Sequence, residues 1–368
     1  MNNVKTLANV ECDPISPETK NGIPISQPIL MGNSIVCDGY VDGKTTAVFT
    51  HFHEDHTWNF SNALRKCHRI LLTEPTYLAL KALKKIPDRP AIERIPYNRP
   101  YATSCGETIE LINANHVPGS CQVLVTMDNS GEKILYSGDF SYPGISVPKA
   151  DVLVLDGTHG TDAYDFDTDK PSVLRQIFKE VSRHLDNDIP VEILAHRGTM
   201  QDIISQLEKT EDGEFIADDI PFLAEQPDID LTNALKYLDP DTEYREMEVA
   251  TNSRLNELYN VDKRPYVKFS RPLPGAASLQ HERTQVIQAD VNPNFKNKGP
   301  MWTDKNGKIY ACLAAHASHK NILKYVEKVA PKKVIVDGTR ANYDVAKTLA
   351  NTIAKTFEIP AFAQGCGQ

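Results

Sequence analysis

The chain has 368 residues, 40% of them hydrophobic and 24% charged, with a formal net charge of −9. That length exceeds the roughly 250 to 300 residues at which a single core stops growing, so two domains are expected. The acidic balance excludes a global attraction for nucleic acid: a polyanionic partner needs a local basic patch or bound cations.

The opening residues MNNVKTLANVECDPISPETK have no basic flank followed by an apolar run, and no apolar stretch approaches the ~18 residues of a membrane span. The seven cysteines are odd in number and never spaced CxxC. A cytosolic chain with reduced thiols and no membrane association is therefore expected. Nothing in the sequence bears on oligomeric state.

In chain order, short strands are expected at 35–40 and 45–50, the second running into HFHEDH at 51–56. Residues 122–126 and 133–137 flank the turn Asp128-Asn129-Ser130-Gly131 as a hairpin, and the apolar run 152–155 reads as a strand buried on both faces. After Gly160 the period changes. Val173, Leu174, Ile177, Phe178, Val181 and Leu185 make a helical stripe that starts behind Pro171. A strand at 191–194 and a helix at 199–209 follow. The stretch 211–298 is acidic, then rich in Pro and Asn, with a candidate strand at 266–270 before Arg271-Pro272-Leu273-Pro274-Gly275. Alternation returns with strand 309–313, helix 320–329, strand 333–336 and helix 343–357, so the reading is one α/β domain interrupted by an insertion.

HFHEDH sets three imidazoles and two carboxylates in six residues, in a chain with only eleven histidines. In an extended segment alternate side chains share a side, so His51, His53 and Asp55 can converge while His56 turns in beside them. Imidazole with carboxylate suits zinc, manganese or iron. Further ligands are sought in His116, before the turn Pro118-Gly119, and in Asp139, at a strand end where Gly138 permits close backbone approach.

HFHEDH, ANHVPGS (114–120) and YSGDF (136–140), in that order, resemble the HxHxDH, single His and single Asp motifs of the metallo-β-lactamase superfamily. LVLDGTHG (153–160) is similar to the acidic motif of its β-CASP nuclease branch, CLAAHASHK (312–320) to that branch's later histidine motif, and PKKVIVDGT (331–339) to its final strand. The resemblance implies a metallo-β-lactamase αββα sandwich over 1–165 and 301–368, with a β-CASP-like α/β domain inserted over 166–300.

It also implies two zinc ions per chain, with manganese possible. His51, His53 and His116 would take one; Asp55 and His56 would take the other, with Asp139 bridging. A hydroxide held between them would attack phosphorus. Asp55, Asp139, Asp156 and His316 then form the catalytic set, His316 as general acid or phosphate contact with Asp156 orienting its ring. The alternative for His316 is a capping role at the start of the helix that follows Ala317, which the family context of AHAS outweighs.

The final motif departs from the family, because Asp337 stands where RNA-processing members carry a metal-binding His and DNA-repair members an apolar residue. Asp337 reads either as a further metal ligand or as a turn residue before Gly338. His159 replaces a common Tyr and either reaches the cleft or packs. His196, Arg197 and Ser318 are candidate substrate contacts, the first two at the start of a helix in the insertion. Trp58 and Trp302 read as packing residues, with base stacking the alternative.

The leading expectation is a metal-dependent nuclease acting on RNA or DNA. The alternatives are a metallo-β-lactamase-type metabolic hydrolase of a small ester, thioester or phosphodiester, which the first motifs fit equally well, and a non-catalytic nucleic-acid-binding subunit, against which the intact ligand set argues.

Overall fold

Five consecutive buried residues, Val152–Asp156, form a strand with parallel neighbours on both sides. Its side chains alternate between two cores. Leu153 and Leu155 pack against the helices His319–Val329 and Tyr343–Phe357, while Val152 and Val154 join Val48, Leu71, Ile109 and Val123 in a second cluster. This explains why the run reads as continuously apolar: there is no solvent face. Each such side chain contributes about 1.5 to 3 kcal/mol by leaving water.

The computed structural model describes residues 19–20, 23–24, 27–83, 86–166, 169–208, 213, 215–238, 245–272, 283–291 and 295–364. Cys12, Cys366, Lys209 and the turn residues 273–275 lie outside these. The chain divides into two compact units, the first comprising Met1–Leu80, Ile86–Asp165 and His316–Gln368, the second Lys81–Lys85 and Phe166–Ala315.

The first unit contains two large sheets. One has seven strands in the order Ala361–Gln364, Lys333–Asp337, Val152–Asp156, Lys133–Tyr136, Cys121–Met127, Glu107–Asn113 and Tyr101–Ala102. Its first four strands are parallel and the rest antiparallel. The expected hairpin is there, with Val123 opposite Tyr136 and Thr126 opposite Lys133. The other sheet runs Ile29–Met31, Ile35–Cys37, Thr46–Val48, Arg69–Leu72 and Ile92–Arg94. The two sheets share the core around Val48, Leu71, Val123 and Val154.

The helix Tyr343–Phe357 starts where the side chain of Asn342 accepts hydrogen bonds from Asp344 N and Val345 N. It buries Ala346, Leu349, Ala350 and Ile353, the spacing of one helical face.

The second unit is built on a sheet ordered Glu248–Val249, Phe222–Ala224, Val267–Ser270, Val191–Ala195, Gln285–Asp290, Ile309–Cys312 and Met301–Thr303, parallel throughout except for the last pair. Helices Lys170–Leu185 and Thr199–Glu208 bury their apolar stripes against one face of it. The unit extends to Ala315, whereas composition marks the break at 300. Cross-strand pairing of Met301–Thr303 and Ile309–Cys312, which the Pro and Asn content does not report, sets that limit.

No disulfide forms among the five described cysteines, and no helix among the described residues is long and apolar enough to cross a membrane.

After the strand Lys133–Tyr136 the chain turns through Gly138, whose φ is +53°. A Cβ there would lie 2.8 Å from Cys121 O and 3.3 Å from the Thr50 side chain. Gly138→Ala is therefore expected to destabilise the protein by about 1 to 3 kcal/mol through left-handed strain and overlap, measured as a lowered midpoint in denaturant unfolding.

Candidate metal centre

The strand Thr46–Val48 leads the chain into His51, but the extended course ends at His53. His56 N and Thr57 N both donate to His53 O, at 3.2 and 3.1 Å. The expected convergence of Asp55 with His51 and His53 is thus corrected: a turn breaks the alternation, and Asp55 stands beside His56, its Oδ2 3.7 Å from His56 Nε2.

His116 arrives on a loop held by side-chain hydrogen bonds. Ser120 Oγ accepts from His116 N and Val117 N, and Gly119 O accepts from the hydroxyls of Thr73 and Thr76. His116 Nε2 lies 3.2 Å from His53 Nδ1. One ligand atom each from His51, His53, His116 and Asp139 falls within a sphere where all separations are at most 4.8 Å.

Asp139 is the focus. Its Oδ2 lies 3.2 Å from His56 Nε2, 3.6 Å from His116 Nε2, 3.7 Å from His51 Nε2 and 3.8 Å from His316 Nε2.

Behind this group sits Asp38, fully buried, which the sequence reading missed. Its Oδ1 accepts from Thr50 N at 2.8 Å. Its Oδ2 accepts from Thr50 Oγ1 at 2.8 Å, His56 Nδ1 at 2.7 Å and Tyr136 OH at 3.0 Å. A carboxylate has no proton to give, so His56 carries its hydrogen on Nδ1. Thr50 spends its hydroxyl proton on Asp38, so the 3.1 Å contact between Thr50 Oγ1 and His51 Nδ1 is a donation from the ring. Both histidines therefore present Nε2 lone pairs toward Asp139. A lone Asp at the end of an apolar strand, before Gly39, looks like a turn residue, and only its partners distinguish it.

The buried Nε2 atoms of His51 and His56 complete no hydrogen bond. Inward lone pairs around a carboxylate repel one another unless a cation lies among them, and imidazole with carboxylate is a zinc or manganese donor set. The residues present fit such an ion. In the chain alone, protons take part of that load. Burial works against the His56 imidazolium, but Asp139, Asp55 and Asp38 raise its pKa well above the usual range. Burial would raise Asp139, yet His56 and His316 hold it well below. Burial and the neighbouring His56, His53 and His116 push His51 down.

Asp156 ends its strand and directs its carboxylate at His316, with Oδ2 2.7 Å from His316 Nδ1, while Oδ1 accepts from Thr158 N at 2.8 Å. Asp139, Asp156 and His316 form a second close cluster. Burial disfavours the His316 imidazolium, but Asp156 and Asp139 override it and push the pKa up to about 9. His159 braces this ring: it stacks on Tyr164, donates toward Ala317 O at 3.1 Å and sits 5.4 Å from His316 edge to face. Burial, then His316, lower its pKa to about 4, so it is neutral at neutral pH.

Asp337 does not join either cluster. Its Oδ1 accepts from Thr339 N and Oγ1, and its Oδ2 pairs with the buried Arg340 at 2.7 Å. An internal guanidinium neutralises the carboxylate that the motif suggested as a ligand. Ser318 is the N-cap residue of the helix His319–Val329, with its hydroxyl making no hydrogen bond among the described residues. His196 and Arg197 lie in the second unit. His196 O accepts from Met200 N as a helix start, and Arg197 Nε is held by buried Asp228 at 2.6 Å.

No family model matches the chain. Over 112 residues it is 37% identical to an uncharacterized protein in the lig 3′ region of Acidianus ambivalens, a match spanning 28% of this chain and 73% of that protein. It is 32% identical over 142 residues to the DNA cross-link repair 1A protein of Gallus gallus, and 33% identical over 125 residues to the 5′ exonuclease Apollo of the same organism. Those matches cover 35% and 32% of this chain but only 13% and 26% of the relatives. A crystal structure of a protein of unknown function from Enterococcus faecalis V583 superposes with a TM-score of 0.53 over 89% of this chain and 81% of that one, at 10% identity, a likeness of fold alone.

Two outcomes are expected. In metal-free protein the His316 ring should hold its proton up to about pH 9, and Asp156→Asn should move that titration to lower pH, read from the ring proton resonances by NMR. Asp38→Asn, which can no longer accept from both His56 and Thr50 as an anion, should weaken zinc binding about 10- to 100-fold in competition with a chromogenic chelator.

Proposed function

We propose that this chain, which belongs to the β-CASP nuclease branch of the metallo-β-lactamase superfamily, a branch of hydrolases, is a metal-dependent nuclease that hydrolyses phosphodiester bonds of DNA. The observation that carries the reading is the meeting of His56, His116 and His51 on Asp139 Oδ2 at 3.2 to 3.7 Å, with His316 of the His316–Asp156 pair on the same oxygen at 3.8 Å. A small-ester hydrolase has no need of that last pair.

The donors suit two ions, zinc or manganese. His51, His53 and His116 would hold one; Asp55 and His56 would hold the other, with Asp139 shared and Asp337 outside the set. When bound, such ions supply positive charge against phosphate oxygens and lower the pKa of water toward neutrality. The chain's own residues do the rest. Asp156 fixes the His316 ring through Nδ1 and favours its cationic form, so an Nε2 proton would be available to the leaving oxygen as its bond to phosphorus breaks and the water oxygen takes its place. Neutral His159 at its edge excludes water and adds no competing charge.

Helices packed on one face of the seven-stranded sheet and a second sheet on the other support the αββα sandwich. The inserted domain corresponds to the second unit. DNA is preferred to RNA because relatives that the chain matches bear the names DNA cross-link repair 1A protein and probable DNA ligase. The expected product carries a 5′-phosphate.

The test is cleavage of end-labelled single- and double-stranded DNA and RNA with zinc or manganese. Asp139→Asn should abolish cutting, and His316→Ala should slow it about 10²- to 10⁴-fold. Parental rates in both variants would overturn the mechanism; preferential cutting of RNA would overturn the substrate.

A further inference from the structure

The sheet of the second unit has one helix-covered face; the other face is open in part. Register on that other face puts Trp302 opposite Tyr310, Tyr310 opposite Gln288, Gln288 opposite Leu194 and Leu194 opposite Ser270. This row crosses five strands, and every member is only half-buried. Farther along, around Leu223 and Tyr266, the same face is sealed by Leu255 and Leu258. The open end carries the aromatic residues.

Trp302 and Tyr310 stack with ring centroids 4.3 Å apart and planes 9° from parallel. Lys298 Nζ lies 3.7 Å over the indole and Lys308 Nζ 5.2 Å from the tyrosine ring centre. Neither lysine ammonium forms an ion pair among the described residues, although Lys308 N donates to Asp304 Oδ1 at 3.0 Å. The indole Nε1 has no hydrogen-bond partner among them either. Met301 on the same edge strand turns inward and packs on the core, so anchoring the strand does not require Trp302 on the open face.

We propose that the Trp302–Tyr310 pair, flanked by Lys298 and Lys308, is a platform for single-stranded nucleic acid. A base stacks on the indole in place of the Lys298 ammonium, and the two lysines take adjacent phosphates. The exchange is favourable because an exposed lysine over a ring is held by only about 0.5 to 1 kcal/mol, whereas a base stacked on an aromatic side chain is held by about 1 to 3 kcal/mol. In a chain of net charge −9, two unpaired lysines beside stacked rings supply the local attraction that the whole molecule lacks. The choice of ligand rests on the nuclease reading above, while the platform itself rests on this face alone.

The chain has two tryptophans, so Trp58→Phe leaves Trp302 as the only indole reporter. Titration of that protein with a phosphorothioate-linked oligothymidylate should quench its emission saturably, with weaker binding to a duplex of the same length. In the otherwise native chain, followed by anisotropy of a labelled strand, Trp302→Ala should lower affinity about tenfold and Trp302→Phe should retain most of it. Lys298→Ala with Lys308→Ala should flatten the salt dependence. Unchanged affinity in Trp302→Ala, or equal binding of duplex, would overturn the platform. Hydrolysis of bis(p-nitrophenyl) phosphate separates the two readings: if parent and Trp302→Ala turn it over alike, the metal centre stands whatever the platform does, and if the parent does not, the nuclease reading fails by itself.

Discussion

The metal centre depends on where two protons sit. Asp38 lies behind His56 and, through Thr50, behind His51, and its carboxylate accepts from both directions. The outward nitrogens are thereby fixed as N–H and the inward ones as lone pairs. With any other residue at 38, neither ring has a reason to choose that tautomer, and HFHEDH would be a cluster of histidines without a common orientation. Burial makes the choice firm, since Asp38 and both rings are inaccessible to water that could offer alternative partners.

The remaining donors follow from sheet topology. Lys133–Tyr136, Val152–Asp156 and Lys333–Asp337 are adjacent parallel strands, so their carboxyl ends lie on one edge. Those ends deliver Asp139, Asp156 and Asp337 in a row, and Asp156 and Asp337 are register partners. Three carboxylates so close would repel one another without counter-charges. Each is matched differently: Asp139 by histidines, Asp156 by His316 and Asp337 by Arg340. The row shows why one strand-end aspartate serves the site and its neighbour serves the scaffold.

Much of this was legible in the sequence, and the gaps have physical causes. Strand 152–155 and helix 343–357 were readable because burial on two faces and on one stripe leave different periods in the side chains. The motif residues His51, His53, His56, His116, Asp139 and Asp156 come together as their chemistry suggests. The alternation expected to run through Asp55 stops at His53, because a turn follows it and turn geometry there rests on backbone bonds to a carbonyl. Asp38 and Arg340 left no signal, since a lone carboxylate and a lone guanidinium acquire meaning only from partners distant in the chain. The limit of the second unit was hidden for a similar reason: strand pairing is a long-range property, whereas composition is local.

Arg340 joins three regions: it pairs with Asp337 and donates from Nη2 to Gln27 O and Asp38 O, across 313 and 302 residues of sequence. His316 likewise meets Asp156 across 160. The histidines of the first loop leave the ribosome well before the groups that lock and complete their surroundings. The first unit must therefore wait, partly assembled, while the whole of the second is synthesised and can fold. Such distant closure is slow, and it ties the appearance of a finished site to the synthesis of both parts of the first unit.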